Sequence, residues 1–200
     1  MMLTERAAHM TASLAVAAAA VLGAAAAGHA ADRSPAPASA ESHRTAIPPQ
    51  LRVPDGNERI AALDAQGVQT YTCVNGSWSF LEPAAVLWKQ HDRRHRPVAL
   101  HSKGPVWIST VDGSAVNAAA VPGASVPHEH AVPELLLKAT ATRGEGMFGS
   151  VSYIQRLHTE GGLAPTGSCT DNSQASVPYS ATYLFYAPSG TQPADGITKR

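Results

Sequence analysis

Two pairs of histidines are the first candidates for chemistry, because a zinc site needs about four nitrogen, sulfur or carboxylate donors. His91 and His95 have the i, i+4 spacing that would place both imidazoles on one face of a helix. Their segment, residues 89–96, is rich in Lys and Arg, and these cations would oppose a divalent ion. We therefore predict that residues 89–96 form a solvated loop between two strands.

The second pair, His128 and His130, flanks Glu129 in a segment bounded by prolines. Two imidazoles and a carboxylate are a partial ligand set for zinc. Nothing in the sequence brings this segment together with the first histidine pair. We therefore predict no metal site and no cofactor, and a metal held by His128 and His130 is the alternative.

A glycine-rich segment at residues 144–149 (GEGMFG) has the spacing of the dinucleotide-binding pattern G-x-G-x-x-G. In that pattern a strand precedes the glycines and a helix opens at them, so that amides at the helix N-terminus hold a pyrophosphate. Here residues 150–154 (SVSYI), which follow, favour a strand. We predict a glycine-rich hairpin turn that binds no nicotinamide cofactor.

The common arrangements for nucleophilic catalysis do not occur in the sequence. It contains no G-x-S-x-G, S-x-x-K or H-E-x-x-H segment. His101 could serve as the base of a hydrolase, but no spacing links it to a nucleophile. The sequence therefore favours a protein without catalysis, and a hydrolase or metal-dependent enzyme that uses a histidine is the alternative.

The charge of the chain is balanced, since Lys+Arg and Asp+Glu both number 15 in a chain of 200 residues. Such a surface has no general electrostatic attraction for nucleic acid or acidic lipid, so neither is predicted as a partner. Charged residues make up only 15% of the chain, while 16 Gly and 15 Pro are present. This composition is typical of short strands joined by many turns.

The N-terminus has the three-part organisation of a secretory signal peptide. A short polar start precedes an uninterrupted run of small and apolar residues at 12–27, and Gly28 and Ala30 supply the small residues of a cleavage site. The run is shorter than the roughly 20 strongly apolar residues of a membrane span. We predict that residues 1–30 are removed after Ala30, that the protein is secreted, and that no membrane attachment remains.

Export also predicts the state of the two cysteines, because thiols outside the cytoplasm oxidise. Cys73 and Cys169 are the only cysteines in the chain, and we predict a disulfide between them. The loop-entropy argument assigns a bridge of this span about 4–5 kcal/mol, from which native strain subtracts.

Composition divides the exported chain into three parts. Residues 31–50 are rich in Pro, Ala and Ser, and residues 188–200 are similar, so neither part can bury enough apolar surface to fold. We predict a flexible leader at 31–50, a single domain at 51–187 and a flexible tail at 188–200.

Short apolar segments separated by turn residues such as Asn75-Gly76 run through this domain. The predicted strands cover residues 68–74, 78–81, 85–88, 97–101, 106–111, 115–121, 135–142, 151–157 and 181–186. Their spacing predicts an all-β fold, mainly an antiparallel sandwich or barrel. Residues 135–139 contain good helix formers and residues 151–157 repeat apolar residues at helical spacing, so one short helix is an alternative there.

Three elements of this domain, taken together, resemble a known family. Residues 101–107 resemble an H-x-x-G-P-x-W element, residues 153–169 a Y-I-Q-R…T-x-G-G-x-A-P…C element, and residues 177–186 a V-P-Y-x-A-x-Y-x-F-Y element. On these residues the chain is similar to a family of secreted bacterial and fungal proteins known as domain of unknown function 3455. The resemblance implies a single secreted domain and no established activity. His158 departs from the family pattern, which tends to have Asn there.

Two polar residues of this pattern, Gln155 and Arg156, are adjacent on a predicted strand, so their side chains point to opposite faces. The one that faces inward must be hydrogen-bonded, either in an internal network or at the floor of a ligand pocket. We predict that the domain binds a small molecule or a cell-envelope component in an aromatic-lined cleft. The predicted contact residues are Trp88, Trp107, Tyr153, Arg156 and His101. A structural protein of the cell envelope is a further alternative.

Overall fold

The structure is a computed structural model that describes residues 47–191. The predicted signal peptide at residues 1–30 lies outside the described residues, as do residues 31–46 of the predicted leader and 192–200 of the predicted tail. No helix in the described part of the chain is long and apolar enough to cross a membrane.

Eight strands make up most of the described structure, which confirms the predicted all-β fold. In chain order they are β1 (Asn57–Val74), β2 (Ser77–Lys89), β3 (Pro97–Ser102), β4 (Val106–Ser109), β5 (Ala115–Val126), β6 (Glu134–Arg143), β7 (Tyr153–Gly161) and β8 (Gln174–Pro188). Each strand pairs antiparallel with the next one along the chain, and β8 pairs with β1. The sheet is therefore a closed barrel, and the sandwich is not formed.

Pairing between distant segments makes two strands longer than their sequence pattern indicates. Residues 78–81 and 85–88, predicted as separate strands, both belong to β2. β1 begins at Asn57, well before the predicted start at residue 68, because β8 pairs along almost its whole length. A strand that is extended by its neighbours needs little β propensity of its own.

The helical alternative for residues 135–139 and 151–157 is wrong, because these segments lie in β6 and mainly in β7. Their apolar side chains alternate between the two faces of the sheet, as those of a strand do. Leu137 and Ile154 belong to the core inside the barrel, whereas Leu136 and Leu157 belong to a cluster on its outer surface.

The connection between β1 and β2 is the two-residue hairpin predicted from Asn75-Gly76. Val74 lies opposite Ser77, and φ is 51° at Asn75 and 73° at Gly76. A type I′ turn needs positive φ at both central residues, and Asn and Gly adopt it most readily. The turn therefore sets the register in which β1 and β2 pair.

A short 3-10 turn, Pro49–Leu51, covers the outer cluster and spans the boundary between the predicted leader and the predicted domain. Leu51 is fully buried against Leu136, Leu157 and Leu184. Burying one leucine side chain stabilises a fold by about 1.5–3 kcal/mol. The segment before β1 therefore packs against the outside of the barrel.

The predicted disulfide between Cys73 and Cys169 is confirmed, with Cα atoms 5.8 Å apart. It joins the end of β1 to the long connection between β7 and β8. Three backbone hydrogen bonds accompany it: from the Asn172 amide to the Cys73 carbonyl (3.1 Å), from the Cys73 amide to the Ser173 carbonyl (2.9 Å) and from the Cys169 amide to the Gly76 carbonyl (3.3 Å). The bridge thus attaches a connection that forms no strand to the first hairpin.

The glycine-rich segment 144–149 lies in the connection from β6 to β7, and no helix follows it. Phe148 in this connection is fully buried inside the barrel, with its ring centroid 4.7 Å from that of Phe185. Because the hairpins of an up-and-down barrel alternate between its two ends, Phe148 fills the end that also carries the β4–β5 turn. The glycines thus belong to the β6–β7 connection that closes this end of the barrel with Phe148, which we call the Phe148 plug.

Asp112, in the β4–β5 turn, holds this plug in place. Its carboxylate accepts hydrogen bonds from the Ser114 hydroxyl (2.6 Å), the Ser114 amide (2.9 Å) and the Met147 amide (3.0 Å). Desolvation acts to raise the pKa of Asp112, but the hydrogen bonds from Ser114 and Met147 outweigh it and lower the pKa to about 2. At Gly146 a Cβ would lie 2.4 Å from the Asp112 carboxyl carbon, so a side chain there would displace the carboxylate.

Candidate functional site

The half of the barrel opposite the Phe148 plug contains a cavity of about 630 Å³. Its walls come from all the strands, together with the β3–β4 turn and the connection between β5 and β6. The residues that line it are Gln69, Tyr71, Phe80, Leu81, Pro83, His101, Lys103, Gly104, Pro105, Trp107, Ala120, Val132, Pro133, Leu135, Leu137, Arg156 and Tyr183. We call this space the barrel cavity.

The mouth of the barrel cavity lies at the end of the barrel that carries the β3–β4 turn. Phe80 is 53% exposed there, and Lys103 and Gly104 of that turn are also exposed. Below them the walls are apolar and include Leu135 and Leu137. A molecule that enters would therefore exchange water for hydrocarbon over most of its surface.

Three aromatic rings form the floor of the barrel cavity. Strand pairing places His101 directly opposite Trp107, and their rings stack with centroids 4.2 Å apart and planes 6° apart. Tyr183 presents an edge to both rings, at 5.4 Å from each centroid. Trp107 and Tyr183 are almost fully buried, so the floor separates the cavity from the packed core beneath it.

His101 is neutral at physiological pH in this setting. Burial is the main cause that lowers its pKa from 6.5 to about 4; the hydrogen bond to the Val106 carbonyl opposes this shift, and the positive charge of Arg156 contributes to it. That hydrogen bond, 3.0 Å long, requires the proton on Nδ1 because a carbonyl can only accept. Nε2 of His101 is therefore an unprotonated acceptor.

Arg156 places a positive charge in the wall of the barrel cavity. Its Nε and Nη2 donate to the Pro133 carbonyl at 3.1 and 2.8 Å. Within residues 47–191 no carboxylate lies within ion-pairing distance of the guanidinium. Desolvation raises the pKa of Tyr71, Tyr179 and Tyr183, and the positive charge of Arg156 opposes this rise. For His101, desolvation and the charge of Arg156 both lower the pKa.

Gln155, the neighbour of Arg156, points out of the barrel, as the alternation along a strand requires. It is nevertheless buried, because the chain before β1 covers it. Its Nε2 donates to the Leu51 carbonyl (2.6 Å), and its Oε1 accepts from the Tyr186 hydroxyl (2.8 Å). Of this predicted pair, therefore, Gln155 joins an internal network and Arg156 lines the barrel cavity.

Two further polar side chains of the cavity lining have no partner in the described structure. Nε2 of Gln69 and Nε1 of Trp107 are buried N–H donors without a hydrogen-bond acceptor. Gln69 is 2% exposed and Trp107 is 1% exposed. Leaving such a donor unpaired costs about 1–3 kcal/mol, so an acceptor supplied from outside would stabilise the site.

Three of the predicted contact residues therefore lie together in the barrel cavity, namely His101, Trp107 and Arg156. The other two lie elsewhere. Trp88 stacks on His95, with centroids 4.4 Å apart, and borders a smaller surface groove. Tyr153 packs against the outer cluster.

The histidines of the alternative metal site lie in the exposed connection between β5 and β6. Nε2 of His128 is 3.6 Å from a Glu134 carboxylate oxygen, and Nε2 of His130 is 3.8 Å from a carboxylate oxygen of Glu129. In residues 47–191 no three His, Cys, Asp or Glu side chains are grouped so that they could hold a metal ion. His91 and His95 lie in the β2–β3 loop, whose backbone is capped by Asp92.

Sequence reasoning missed Gln69, Tyr71 and Lys103 as cavity residues. Gln69 and Tyr71 alternate along β1 and so share one face, but their neighbours are mostly small or polar and do not mark that face as internal. Lys103 lies in a turn that the sequence does show, beside Gly104-Pro105. Only closure of the barrel brings these residues together with Arg156.

Comparison with known proteins gives one match. Residues 54–187 match the family described as "Protein of unknown function (DUF3455)". No curated protein and no solved structure matches the chain. The match covers well over half of the chain and includes the strands that form the barrel cavity, which confirms the resemblance seen in the sequence. The chain therefore belongs to the DUF3455 family.

Proposed function

We propose that this protein is a secreted binding protein that holds one small ligand in the barrel cavity. The observation that carries the proposal is the combination of apolar walls with two buried donors on lining residues, Gln69 Nε2 and Trp107 Nε1, that lack partners in the described structure. Ligand sites commonly have volumes of about 300–1,000 Å³ and a few placed polar groups among apolar ones. An eight-stranded barrel can enclose one ligand of this size.

The character of the lining favours binding over catalysis. Among the described residues that line the barrel cavity, none is a serine, a cysteine or a carboxylate. His101 would be a weak base, because burial holds its pKa near 4. The polar groups that remain are suited to orienting a ligand.

Export supports an origin of the ligand outside the cytoplasm, either in the medium or in the cell envelope. The N-terminal segment organised as a signal peptide and the Cys73–Cys169 disulfide both favour export. We expect the mature chain recovered from the culture medium to begin at Ala31, which its intact mass would establish. Recovery of only the full-length chain from the cytoplasm would contradict export.

Binding can be tested with Nile red, a neutral dye that fluoresces in apolar surroundings. We expect one dye molecule per protein. Ala120 lines the barrel cavity, so Ala120→Trp should fill part of it and weaken binding at least about tenfold. Its neighbour Ala119 points to the opposite face, so Ala119→Trp is the matched control and should leave binding unchanged.

Two results would contradict the proposal. One is the absence of saturable binding to the folded protein. The other is equal weakening by the two tryptophan substitutions, because the dye would then occupy the surface of the barrel. Thermal unfolding of each variant would show that the fold is retained.

A further inference from the structure

The charged groups of the barrel cavity all have the same sign. Arg156 and Lys103 are cations, His101 is neutral, and none of the described lining residues is an acid. We propose that the natural ligand is a small amphipathic acid whose anionic group binds Arg156 and whose hydrocarbon part fills the apolar walls. This inference rests on the proposed function and adds the chemical class of the ligand.

The position of Arg156 is the first support. The Pro133 carbonyl accepts from Nε and Nη2 and thereby orients the guanidinium plane. A guanidinium carries five N–H donors, so these two bonds leave others free to bind a carboxylate. A cation that is partly removed from water and has no counter-ion is costly, and an anion from outside would offset that cost.

The unpaired groups near the floor are the second support. Gln69 Nε2 and Trp107 Nε1 are both buried donors on lining residues, so a ligand that reaches either of them must supply an acceptor such as an oxygen. A carboxylate can accept about four hydrogen bonds and can also pair with a guanidinium through two of them. The Nε2 atom of His101 is an acceptor in this region, and it suits a hydroxyl on the ligand.

The walls determine the rest of the ligand. Leu135, Leu137, Pro83 and Val132 offer hydrocarbon between the mouth and the floor. An alkyl chain or a fused aromatic ring would cover them. A carboxylic acid can have either of these as its hydrocarbon body. The shared chemistry is thus an acid with a hydrocarbon body, and the two kinds of body can be separated by experiment.

The test uses the disulfide-bonded exported protein and matched probes, with affinities measured by calorimetry at pH 7. Dodecanoate, dodecanol and dodecylamine share one chain and differ in the charge of the head. We expect dodecanoate to bind about 10- to 100-fold more tightly than dodecanol, the range for a hydrogen bond to a charged group. Dodecylamine should bind most weakly, because Arg156 repels it. Comparison of 2-naphthoate with 2-naphthalenemethanol tests the same preference for an acid over a neutral alcohol when the body of the ligand is aromatic.

Arg156→Gln should abolish the preference for the acid while leaving the affinity for dodecanol within about threefold. Lys138→Gln is the matched control, because it removes the same charge from the exposed face of β6 and should change neither affinity. The order of the three wild-type affinities tests the proposal independently of whether Arg156→Gln folds.

The outcomes separate the two proposals. If the neutral probes bind as tightly as the acids, or if Arg156→Gln keeps the preference for the acid, the ligand class is wrong and the binding function stands. If neither these probes nor Nile red bind, both proposals are wrong. A preference for the acid that Lys138→Gln removes equally would reflect the overall charge of the protein and would also overturn the assignment to Arg156.

Discussion

The imidazole of His101 lies flat against the indole of Trp107, with ring planes 6° apart and centroids 4.2 Å apart. The stack closes the floor of the barrel cavity and buries both rings. It also couples the stability of the fold to pH, because a buried imidazole resists protonation.

The free energy of unfolding should fall as the pH decreases from 6.5 to 4. The folded pKa of His101, about 4, lies below its ordinary value of 6.5, so the unfolded chain takes up the proton first. Stability is therefore complete above pH 6.5 and is lost towards pH 4, by roughly 3 kcal/mol for this one group. Urea unfolding over this range measures the loss.

His101→Phe should flatten this dependence, since phenylalanine can stack on Trp107 and does not titrate. The matched control is His91→Asn, which replaces an exposed histidine of the β2–β3 loop and should leave the dependence on pH unchanged. If His101→Phe and the wild-type protein lose stability equally between pH 6.5 and 4, the imidazole is not buried as described.

Asp112→Ala should destabilise the Phe148 plug, because three hydrogen bonds to its carboxylate disappear. The expected loss is about 1–2 kcal/mol, measured by thermal or urea unfolding at pH 7. Glu145→Ala removes an exposed carboxylate from the same connection and is the control, with little change expected.

The contribution of Asp112 should also depend on pH. Its folded pKa of about 2 lies below the ordinary 3.8, so its stabilising effect is present above pH 3.8 and is lost as the pH falls towards 2. The difference in stability between the wild-type protein and Asp112→Ala should therefore shrink in that window. A difference that stays constant down to pH 2 would contradict the hydrogen bonds to the ionised carboxylate.

Truncation of Phe148 should reduce stability far more than truncation of Phe80. Phe148 is fully buried in the plug, so Phe148→Ala should cost about 3–5 kcal/mol of stability. Phe80 is 53% exposed at the mouth of the barrel cavity, so Phe80→Ala should cost much less and should weaken the binding of Nile red. Equal losses of stability in urea unfolding would show that Phe148 does not fill the end of the barrel.

Reduction of the Cys73–Cys169 disulfide should destabilise the protein by about 2–5 kcal/mol. The bridge spans a sequence separation of 96, and its removal frees a long loop in the unfolded chain. Urea unfolding with and without dithiothreitol measures the loss, and a protein with both Cys73→Ser and Cys169→Ser should not respond to the reductant. No effect of dithiothreitol on the wild-type protein would contradict a stabilising bridge.

Much of the fold could be predicted because its determinants are local in the sequence. Alternating Val, Thr and aromatic residues indicate strands, and Asn75-Gly76 indicates a type I′ hairpin, whatever the rest of the chain does. The partners of the disulfide followed from the presence of only Cys73 and Cys169. Residue type and the elements that resemble the DUF3455 family indicate His101, Trp107 and Arg156 as contact residues, but they do not indicate what surrounds these side chains.

The long first strand could not be predicted, because its pairing is not local. Residues 57–67 carry few residues that favour strands, and pairing with β2 and β8 holds them extended. The positions of Trp88 and Tyr153, outside the barrel cavity, could not be predicted either. A strand offers two faces, and composition does not say which of them a given ring will occupy.

The sequence by itself thus determined the β class, the presence of most strands, the Asn75-Gly76 turn and the disulfide of this protein, because each depends on neighbouring residues or on a count of two cysteines. Only the tertiary structure decided that the sheet closes, that Arg156 lies inside and Gln155 outside, and that Phe148 fills one end while the other stays open. The physical reason is register, since a shift of one residue would exchange the two faces of every strand, and register is set by pairings between residues far apart in the chain.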